Sequence, residues 1–252
     1  MVVADLHSSL PAVLTGLRSP DGQEHPRVVY IMTDGGALPL AYSRIVAALS
    51  QAGWLTGTIT AGQAWGGDIE AVSVHNALLA ARHVLHADAA VVIQGPGNLG
   101  TETPWGFSGV ACGDAINAIA TLGGRPVACL RVSQADARPR HLGISHHSMT
   151  AYGRVALAGA DVVVPDLEGP LGAQVRQEAE TLCAPRPGAG QHRLVEVPAD
   201  GLLELLRAAE AETGVRLSTM RRGLEEDTAA FIAAAAAGRH VRRILDAEAV
   251  HG

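Results

Sequence analysis

Histidine and arginine side chains are concentrated in one short stretch of the sequence, residues 137–150. This stretch holds two arginines, Arg138 and Arg140, followed by adjacent histidines, His146 and His147. A histidine in a cleft suits general acid–base catalysis because its unperturbed pKa is about 6.5. Guanidinium groups can bind a carboxylate or a phosphate. The stretch therefore indicates proton transfer beside an anionic group, although histidines that only cap a loop and bind backbone groups would give the same pattern.

The two adjacent histidines occur at a predicted helix start, where neighbouring side chains point in different directions. Ser145 is placed as the N-cap, which makes His146 the first helical residue. We therefore expect at most one of His146 and His147 to enter a pocket, and we favour His146 because it is nearest the preceding loop. Asp34 or Asp136, each of which follows an apolar run, would orient or activate the catalytic imidazole.

A second stretch that could form a binding site is residues 95–101. It is rich in glycine and directly follows an apolar run. It satisfies the dinucleotide-binding pattern G-x-G-x-x-G. Two details argue against NAD: Pro104 and Trp105 delay the following helix, and Asp136 lies far beyond the roughly 20 residues expected for a ribose-binding carboxylate. Three interpretations stay open, namely a dinucleotide fold, a nest of backbone amides that binds a phosphate or carboxylate, and a purely structural turn.

Five apolar runs, each ending in a polar elbow, alternate with helical patterns. The runs are residues 2–5, 27–33, 55–61, 89–94 and 126–132. Short apolar strands that alternate with helices predict an α/β fold with a doubly wound, mostly parallel sheet and helices on both faces, a Rossmann-like three-layer architecture. Ligands of such sheets bind beyond the carboxyl ends of the strands, near a switch point in strand order.

The polar elbows supply the remaining candidate site residues. We expect Asp34, Asp68, Asn98 and Asp136 at one edge of the sheet, around one concavity. Asp68 is also predicted to cap a helix that continues to about His86. The candidate ligand-binding residues are Gln63, Gly66, Gly67, Asp68, Gly95, Gly97, Asn98, Gly100, Thr101, Arg131 and Arg140.

The chain length of 252 residues allows one large domain. Residues 1–182 are predicted to form an α/β core domain, in which Pro165 closes a short strand at 161–164. Residues 183–191, rich in proline and glycine, form a surface loop or linker, and residues 192–252 add a strand and helices that complete the same domain. The alanine-rich segment 229–237 either packs against a neighbouring helix or subunit or forms a frayed surface helix.

The charge and the apolar pattern exclude several partners. The net charge is −6, with no basic field that would attract nucleic acid or an anionic membrane. No apolar run approaches the roughly 20 residues of a membrane span, so we predict a soluble, cytoplasmic protein. The expected partner is a small anionic metabolite, and the alanine-rich segment allows a homo-oligomer.

The composition also limits the chemistry. All 19 Lys and Arg residues are arginines, which excludes lysine-dependent catalysis and a P-loop lysine for this chain acting alone. Of the three cysteines, Cys112 and Cys129 lie in apolar surroundings and are predicted to be core thiols. No His-x-x-x-His pair lies on one helix face, so we assign no metal ligands, and the sequence identifies no cofactor. Metal binding stays open, because several side chains could converge at the sheet edge: Asp5, His7, Asp34, Asp68, Asp136, His146 and His147.

Taken in order, the elbow motifs resemble a bacterial family known only as a domain of unknown function, met mainly in Gram-positive bacteria. The motifs are residues 32–39, 62–71, 94–101, 131–136 and 140–147. They cover about residues 1–165, and the resemblance continues more loosely to about residue 238. It implies that relatives carry an additional N-terminal segment, a small β domain, that this chain lacks. The family has no established activity, so the resemblance supports the fold and not a reaction.

These observations favour an enzyme that acts on a small anionic metabolite at the carboxyl ends of the strands. The expected chemistry is of the lyase or hydrolase type, with histidine and aspartate as acid–base groups. Two alternatives stay open: a non-catalytic nucleotide or metabolite sensor, and a structural assembly subunit. A doubly wound sheet hosts many functions, so the fold alone does not choose among them.

Overall fold

The computed structural model describes residues 1–18 and 25–251, which are organised around a parallel β-sheet. The strands are β1 (Val2–Ala4), β2 (Val28–Thr33), β3 (Gly57–Ala61), β4 (Ile69–Ala71), β5 (Ala89–Gln94), β6 (Val127–Cys129), β7 (Val132–Ser133), β8 (Gly143–Ile144), β9 (Asp161–Asp166), β10 (Arg193–Pro198), β11 (Ser218–Thr219) and β12 (Arg222–Gly223). The helices are α1 (Leu10–Leu17), α2 (Arg44–Gln51), α3 (Val74–His83), α4 (Ala111–Thr121), α5 (His146–Thr150), α6 (Gly169–Cys183), α7 (Leu202–Thr213) and α8 (Thr228–His251).

Eight of the strands form one sheet in the order β10-β9-β6-β1-β5-β2-β3-β4, and every pair in it is parallel. Successive side chains of β1 enter different cores: Val2 and Ala4 pack on one face and Val3 on the other. Helices α1, α2, α7 and α8 contribute to the first core, and helices α3 to α6 contribute to the second. The predicted doubly wound α/β fold is confirmed.

The strand order reverses between β1 and β5, which are neighbours in the sheet. The chain leaves β1 towards β2 on one side, whereas it leaves β5 towards β6 on the other. The loops that follow β1 and β5 therefore diverge and open a crevice at the carboxyl edge of the sheet. Strands β7 and β8 form a small antiparallel pair that continues from β6 above this edge, and β11 and β12 form another.

Two predictions about local structure are wrong. Asp68 does not cap a helix: its Oδ2 accepts hydrogen bonds from the backbone N and Oγ1 of Thr58, both at 2.8 Å, and the next residues pair with β3 as β4. Helix α3 is instead capped by Ser73. Pro165 lies inside β9 rather than closing it. At Pro165 the strand pairs only with β10, because β6 pairs with residues 161–163 alone. The edge of β9 that faces away from β10 therefore needs no N–H donor at Pro165, and a proline is tolerated there.

Helix α8 packs along α1 at very short distance. A Cβ atom on Gly16 would overlap the carbonyl oxygen of Ala235, and one on Gly238 would overlap the carbonyl oxygen of Val13. The alanine-rich segment 229–237 is therefore a packed helix and not a frayed one, because its small side chains let the two backbones approach. Within the described part of the chain, none of the helices combines the length and apolar character needed to cross a bilayer.

The three cysteines are all free and buried. The Sγ atom of Cys112 lies 3.4 Å from the carbonyl oxygen of Ala4, and burial raises the pKa of Cys129 to about 12. Both thiols are protonated at neutral pH, so the prediction that Cys112 and Cys129 are core thiols is confirmed.

Candidate functional site

The carboxyl ends of three neighbouring strands bring a carboxylate, an amide and a guanidinium together. Asp5 follows β1, Gln94 ends β5, and Arg131 follows β6. The Nε2 atom of Gln94 donates to the backbone oxygen of Asp5 at 2.7 Å and to its Oδ1 at 3.2 Å. The Nη1 atom of Arg131 donates to Oδ2 at 3.5 Å. Burial would raise the pKa of Asp5, but the hydrogen bond from His147 and the charge of Arg131 outweigh it and lower that pKa.

His147 is oriented by this buried carboxylate. Its Nδ1 lies 3.0 Å from Oδ2 of Asp5 and 3.2 Å from Nη1 of Arg131. A carboxylate oxygen can only accept, so we assign the hydrogen to Nδ1, and both nitrogens donate to the same oxygen. The ring of Phe107 stacks on His147 with centroids 3.8 Å apart and planes 5° apart. His147 is thus held from two sides, and its Nε2 lone pair is left for a ligand.

A third histidine, His141, lies in the same cluster. It is 1% exposed, and its Nδ1 is 2.6 Å from Oγ of Ser145. The same Oγ accepts from the backbone N of His147 at 3.2 Å, which confirms Ser145 as the N-cap of α5. Burial and the charges of Arg131 and Arg138 lower the pKa of His141 to about 3, so this imidazole is neutral at physiological pH.

The rings of His141, His146 and His147 lie close together. The centroid of His146 lies 4.5 Å from that of His147 and 4.9 Å from that of His141. One nitrogen of each ring lies within 4.8 Å of those of the other two. Burial, His147 and Arg140 lower the pKa of His146, and its ring has no hydrogen-bond partner among the described residues.

These imidazoles face a cavity of about 280 Å³. Its walls come from the loop after β5, residues 98–107, and from the segment 131–147 after β6. The expectation that only one of His146 and His147 enters a pocket is wrong, because both line this cavity. The first two residues of α5, His146 and His147, line the cavity. The side chain of His147 points towards the end of β1, where it contacts Asp5.

A network of ion pairs lies directly beneath the cavity lining, and we call it the floor. Its carboxylates are Asp5, Asp136 and Asp227, and its guanidinium groups are Arg131, Arg138 and Arg222. Asp136 accepts from Nε and Nη2 of Arg138, both at 2.9 Å, and from Nη2 of Arg222 at 3.2 Å. These hydrogen bonds, chiefly those from Arg138, lower the pKa of Asp136. Nη2 of Arg131 lies 3.8 Å from the same carboxylate. Asp136 is therefore a structural anion that fixes three guanidinium groups.

A further carboxylate completes the network. Asp227 is fully buried and accepts from Nε of Arg222 at 2.9 Å and from Oγ of Ser133 at 2.6 Å. The backbone N of Gln134 donates to its other oxygen at 2.9 Å. Since Asp227 immediately precedes α8, the helix that closes the first core also anchors the strand end below the cavity.

The structure brings only part of the predicted site together. The predicted residues that line the cavity are His146, His147, Asn98, Gly100, Arg131 and Arg140. Asp136 lies behind the lining. Asp34 is exposed in the loop after β2, where its Oδ1 accepts from the backbone N of Ala37 at 3.0 Å. The predicted convergence of four carboxylate and amide groups is wrong for Asp68, which lies at the amino end of β3 because it bonds Thr58.

The remaining predicted ligand-binding residues lie outside the lining: Gln63, Gly66, Gly67, Gly95, Gly97 and Thr101. Several amides of the glycine-rich loop are already used within the protein. Gly95 N donates to Thr33 O at 2.9 Å, and Thr101 N donates to Gly106 O at 2.7 Å. Helix α4 begins only at Ala111, so the third glycine of the pattern does not open it. The loop therefore has the geometry of a structural turn that presents Asn98 and Gly100, and not that of a dinucleotide fingerprint.

Three residues of the histidine cluster and its contacts are absent from the predicted catalytic and ligand-binding residues: Asp5, Phe107 and His141. Asp5 carried a signal, since it directly follows β1 as Gln94 ends β5, and the carboxyl ends of adjacent parallel strands meet at one edge. His141 precedes His146 by five positions in the same loop, a spacing that no helix would bring to one face. Phe107 carried no signal, because its contact with His147 depends on the fold of the loop after β5.

The comparisons place the chain in a family. The family model for a protein of unknown function, DUF3866, matches residues 1–238. The chain belongs to the DUF3866 family. The matched residues of this DUF3866 chain include every group that lines the cavity. Neither the curated proteins nor the solved structures give a match.

Proposed function

We propose that this DUF3866 chain is an enzyme that acts on a small anionic metabolite by a hydrolase- or lyase-type reaction. The observation that supports it is the cavity at the β1/β5 switch point, into which three imidazoles and three arginine side chains converge. Its volume of about 280 Å³ suits a small metabolite.

Arg140 is the group that binds the anion in this proposal. Its Nη2 lies 3.4 Å from Oε1 of Glu102, but the Glu102 side chain is 81% exposed and that of Arg140 is 37% exposed. Such an exposed pair is weak, so an incoming phosphate or carboxylate can replace Glu102. Arg131 and Arg138 are already paired with Asp5 and Asp136. They position neighbouring groups and add positive potential.

The imidazole cluster supplies the proton transfer. Asp5 orients His147, and either the Nε2 lone pair of His147 or the partly exposed ring of His146 can take a proton from water or from a substrate hydroxyl. The predicted roles of Asp34 and Asp136 as orienting groups pass to Asp5 in this proposal, because Asp5 contacts an imidazole directly.

The proposal is tested with a library of small phosphate- and carboxylate-bearing metabolites, scored first by thermal shift and then by mass spectrometry for a product. A ligand at about 100 times its dissociation constant should add about 2.7 kcal/mol to the free energy of unfolding. Conversion that His146→Gln abolishes, while His83→Gln on the exposed face of α3 preserves it, supports the enzyme. Binding without conversion favours the sensor, and no binding at millimolar concentration overturns both.

Several expectations from the sequence stay predictions: the cytoplasmic location, homo-oligomerisation, the division of the chain at residues 183–191, the occurrence mainly in Gram-positive bacteria, and the additional N-terminal segment of relatives.

A further inference from the structure

The donor set around the cavity is that of a catalytic metal site. Three imidazoles converge from one loop and the first turn of α5, and one nitrogen of each lies within 4.8 Å of the others. Three histidines with a fourth, open position are a common ligand set of catalytic Zn²⁺. From this convergence we propose that His141, His146 and His147 bind one Zn²⁺ ion, whose fourth coordination position faces the cavity.

The hydrogen bonds of the cluster engage one nitrogen in each of two rings. Nδ1 of His147 is bonded to Asp5, and Nδ1 of His141 is bonded to Oγ of Ser145. In these two rings Nε2 remains for a metal. Ligating histidines almost always donate their other N–H to a carboxylate, a backbone carbonyl or a water, which fixes the ring and raises its basicity. The Asp5–His147 pair is such an arrangement.

His146 supplies the third imidazole. Its side chain lines the cavity and is only partly buried. Beside two rings that each have one nitrogen engaged, this ring is open to a ligand that the three imidazoles share. Around a tetrahedral Zn²⁺ with bonds of about 2.05 Å, the nitrogens would lie about 3.3 Å apart, so the rings need to close by at most about 1.5 Å.

The nearby arginines add positive potential that disfavours a cation at these rings, and paired carboxylates offset part of it. The guanidinium groups of the floor belong to Arg131, Arg138 and Arg222, and the carboxylates that bind them belong to Asp5, Asp136 and Asp227. Arg140 is paired with Glu102. With neutral imidazoles, the three arginines and Glu102 of the lining leave two positive charges, which Asp5 and Asp136 behind the lining balance. A bound Zn²⁺ would be the largest local charge.

This inference deepens the proposed function, on which its catalytic meaning rests. With Zn²⁺ bound, the three imidazoles act as ligands, and the metal-bound water takes over the proton transfer assigned above to an imidazole. A Zn²⁺-bound water has its pKa lowered to about 7, so the metal would supply a hydroxide at neutral pH. The hydroxide oxygen would bond to the phosphorus or carbonyl carbon of an ester substrate as the bond to the leaving oxygen breaks, and the leaving group would take a proton from solvent. The proton released from that water passes to solvent or buffer, and no oxidant or reductant is needed. Binding of the ion itself does not depend on any substrate.

The experiment titrates chelator-treated, full-length protein with Zn²⁺ at neutral pH by isothermal titration calorimetry. We expect one ion per chain with a dissociation constant below about 1 μM. His146→Gln should weaken it by at least about 100-fold, since losing a ligand costs more than losing a supporting partner. His83→Gln, on an exposed helix face, should bind as the unchanged protein does. Wild-type protein that binds no Zn²⁺, or equal affinity in His146→Gln, overturns the inference.

A second measurement avoids the variants in case one of them fails to fold. X-ray absorption spectroscopy of the Zn²⁺-loaded, unchanged protein should give three imidazole nitrogens and one oxygen ligand. A shell without imidazoles overturns the proposal. If Zn²⁺ binds at the cluster but no anionic metabolite binds or reacts, the metal site stands and the proposed enzyme function fails. If protein that binds no Zn²⁺ converts a metabolite, the proposed enzyme function stands and the metal site fails.

Discussion

Asp5 and His147 form a hydrogen-bonded pair across 142 positions of the sequence, with Oδ2 and Nδ1 3.0 Å apart. Asp5 is fixed by the end of β1 and by Gln94, so the carboxylate cannot follow the imidazole if the loop shifts. The carboxylate, fixed by the sheet, therefore holds the His147 ring in place at the cavity. Because it bonds Nδ1, it also leaves Nε2 as the nitrogen that can bind a ligand.

Replacing Asp5 by Asn should change the tautomer of His147. We expect His147 of the unchanged protein to carry its hydrogen on Nδ1, and Asp5→Asn to raise the fraction with the hydrogen on Nε2. Long-range ¹H–¹⁵N correlation spectra measure both forms. The affinity for Zn²⁺ should fall by about 10- to 100-fold. Asp136→Asn is the matched control, since it removes a buried carboxylate of the same floor that contacts no imidazole, and an equal effect of both variants would reject the orienting role.

Replacing Arg140 by Gln should weaken anion binding without loss of stability. Its side chain is exposed, as is its ion pair with Glu102, so the free energy of unfolding should change by less than about 0.5 kcal/mol. A metabolite found in the ligand screen should bind roughly 10-fold more weakly. Arg154→Gln, on the π-helical turn outside the cavity lining, is the control. Unchanged affinity in Arg140→Gln would assign the anion to another group.

The ion pairs of Asp161 should make the protein lose stability in acid. Its carboxylate accepts from Arg193 at 2.7 Å and lies 2.8 Å from Nε2 of His240. Burial raises its pKa, but these hydrogen bonds outweigh burial and lower it. A depressed folded-state pKa stabilises the fold above the unfolded value of about 3.9, and this contribution is lost as pH falls through the folded-state pKa.

Urea unfolding of Asp161→Asn over a pH series checks this. The variant should be about 2 kcal/mol less stable at pH 7, a value reduced from that of a fully buried pair because the arginine partner is half-exposed. The difference from the unchanged protein should shrink below about pH 4, where the Asp161 carboxyl group of the unfolded chain begins to protonate while that of the folded protein stays ionised. Asp166→Asn, an exposed change in the same strand, should show no such pH dependence. A constant difference at every pH would exclude the ionised carboxylate as its cause.

The contact between α1 and α8 should not tolerate a methyl group. Gly16→Ala and Gly238→Ala each place a Cβ against a backbone carbonyl, and each should cost at least about 2 kcal/mol although alanine favours helices. Gly153→Ala is the control, because a Cβ there meets no atom within 4 Å. Thermal unfolding compares the three variants. Stability in either test variant equal to that of Gly153→Ala would show that the helices move apart at no cost.

The sheet was predictable because its strands are continuous apolar runs, a pattern that burial on both faces imposes. His146 and His147 were predictable because their chemistry is concentrated in one stretch. His141 was not, since its role depends on how a loop folds back and not on a helical repeat. Asp68 was misplaced because the apolar spacing after it fits a helix and an edge strand equally well, and pairing with β3 decides between them.

The close fit of α8 on α1 has a consequence for biosynthesis. Helix α1 is among the first elements to leave the ribosome, and the alanines that cover it are translated more than two hundred residues later. Until then the part of the first core that α8 covers is exposed, and Asp227 has not reached Ser133. Contacts of such long sequence separation form slowly, and the exposed apolar face is prone to aggregation. A nascent chain arrested before residue 227 should therefore remain bound to chaperones, with its cavity unformed.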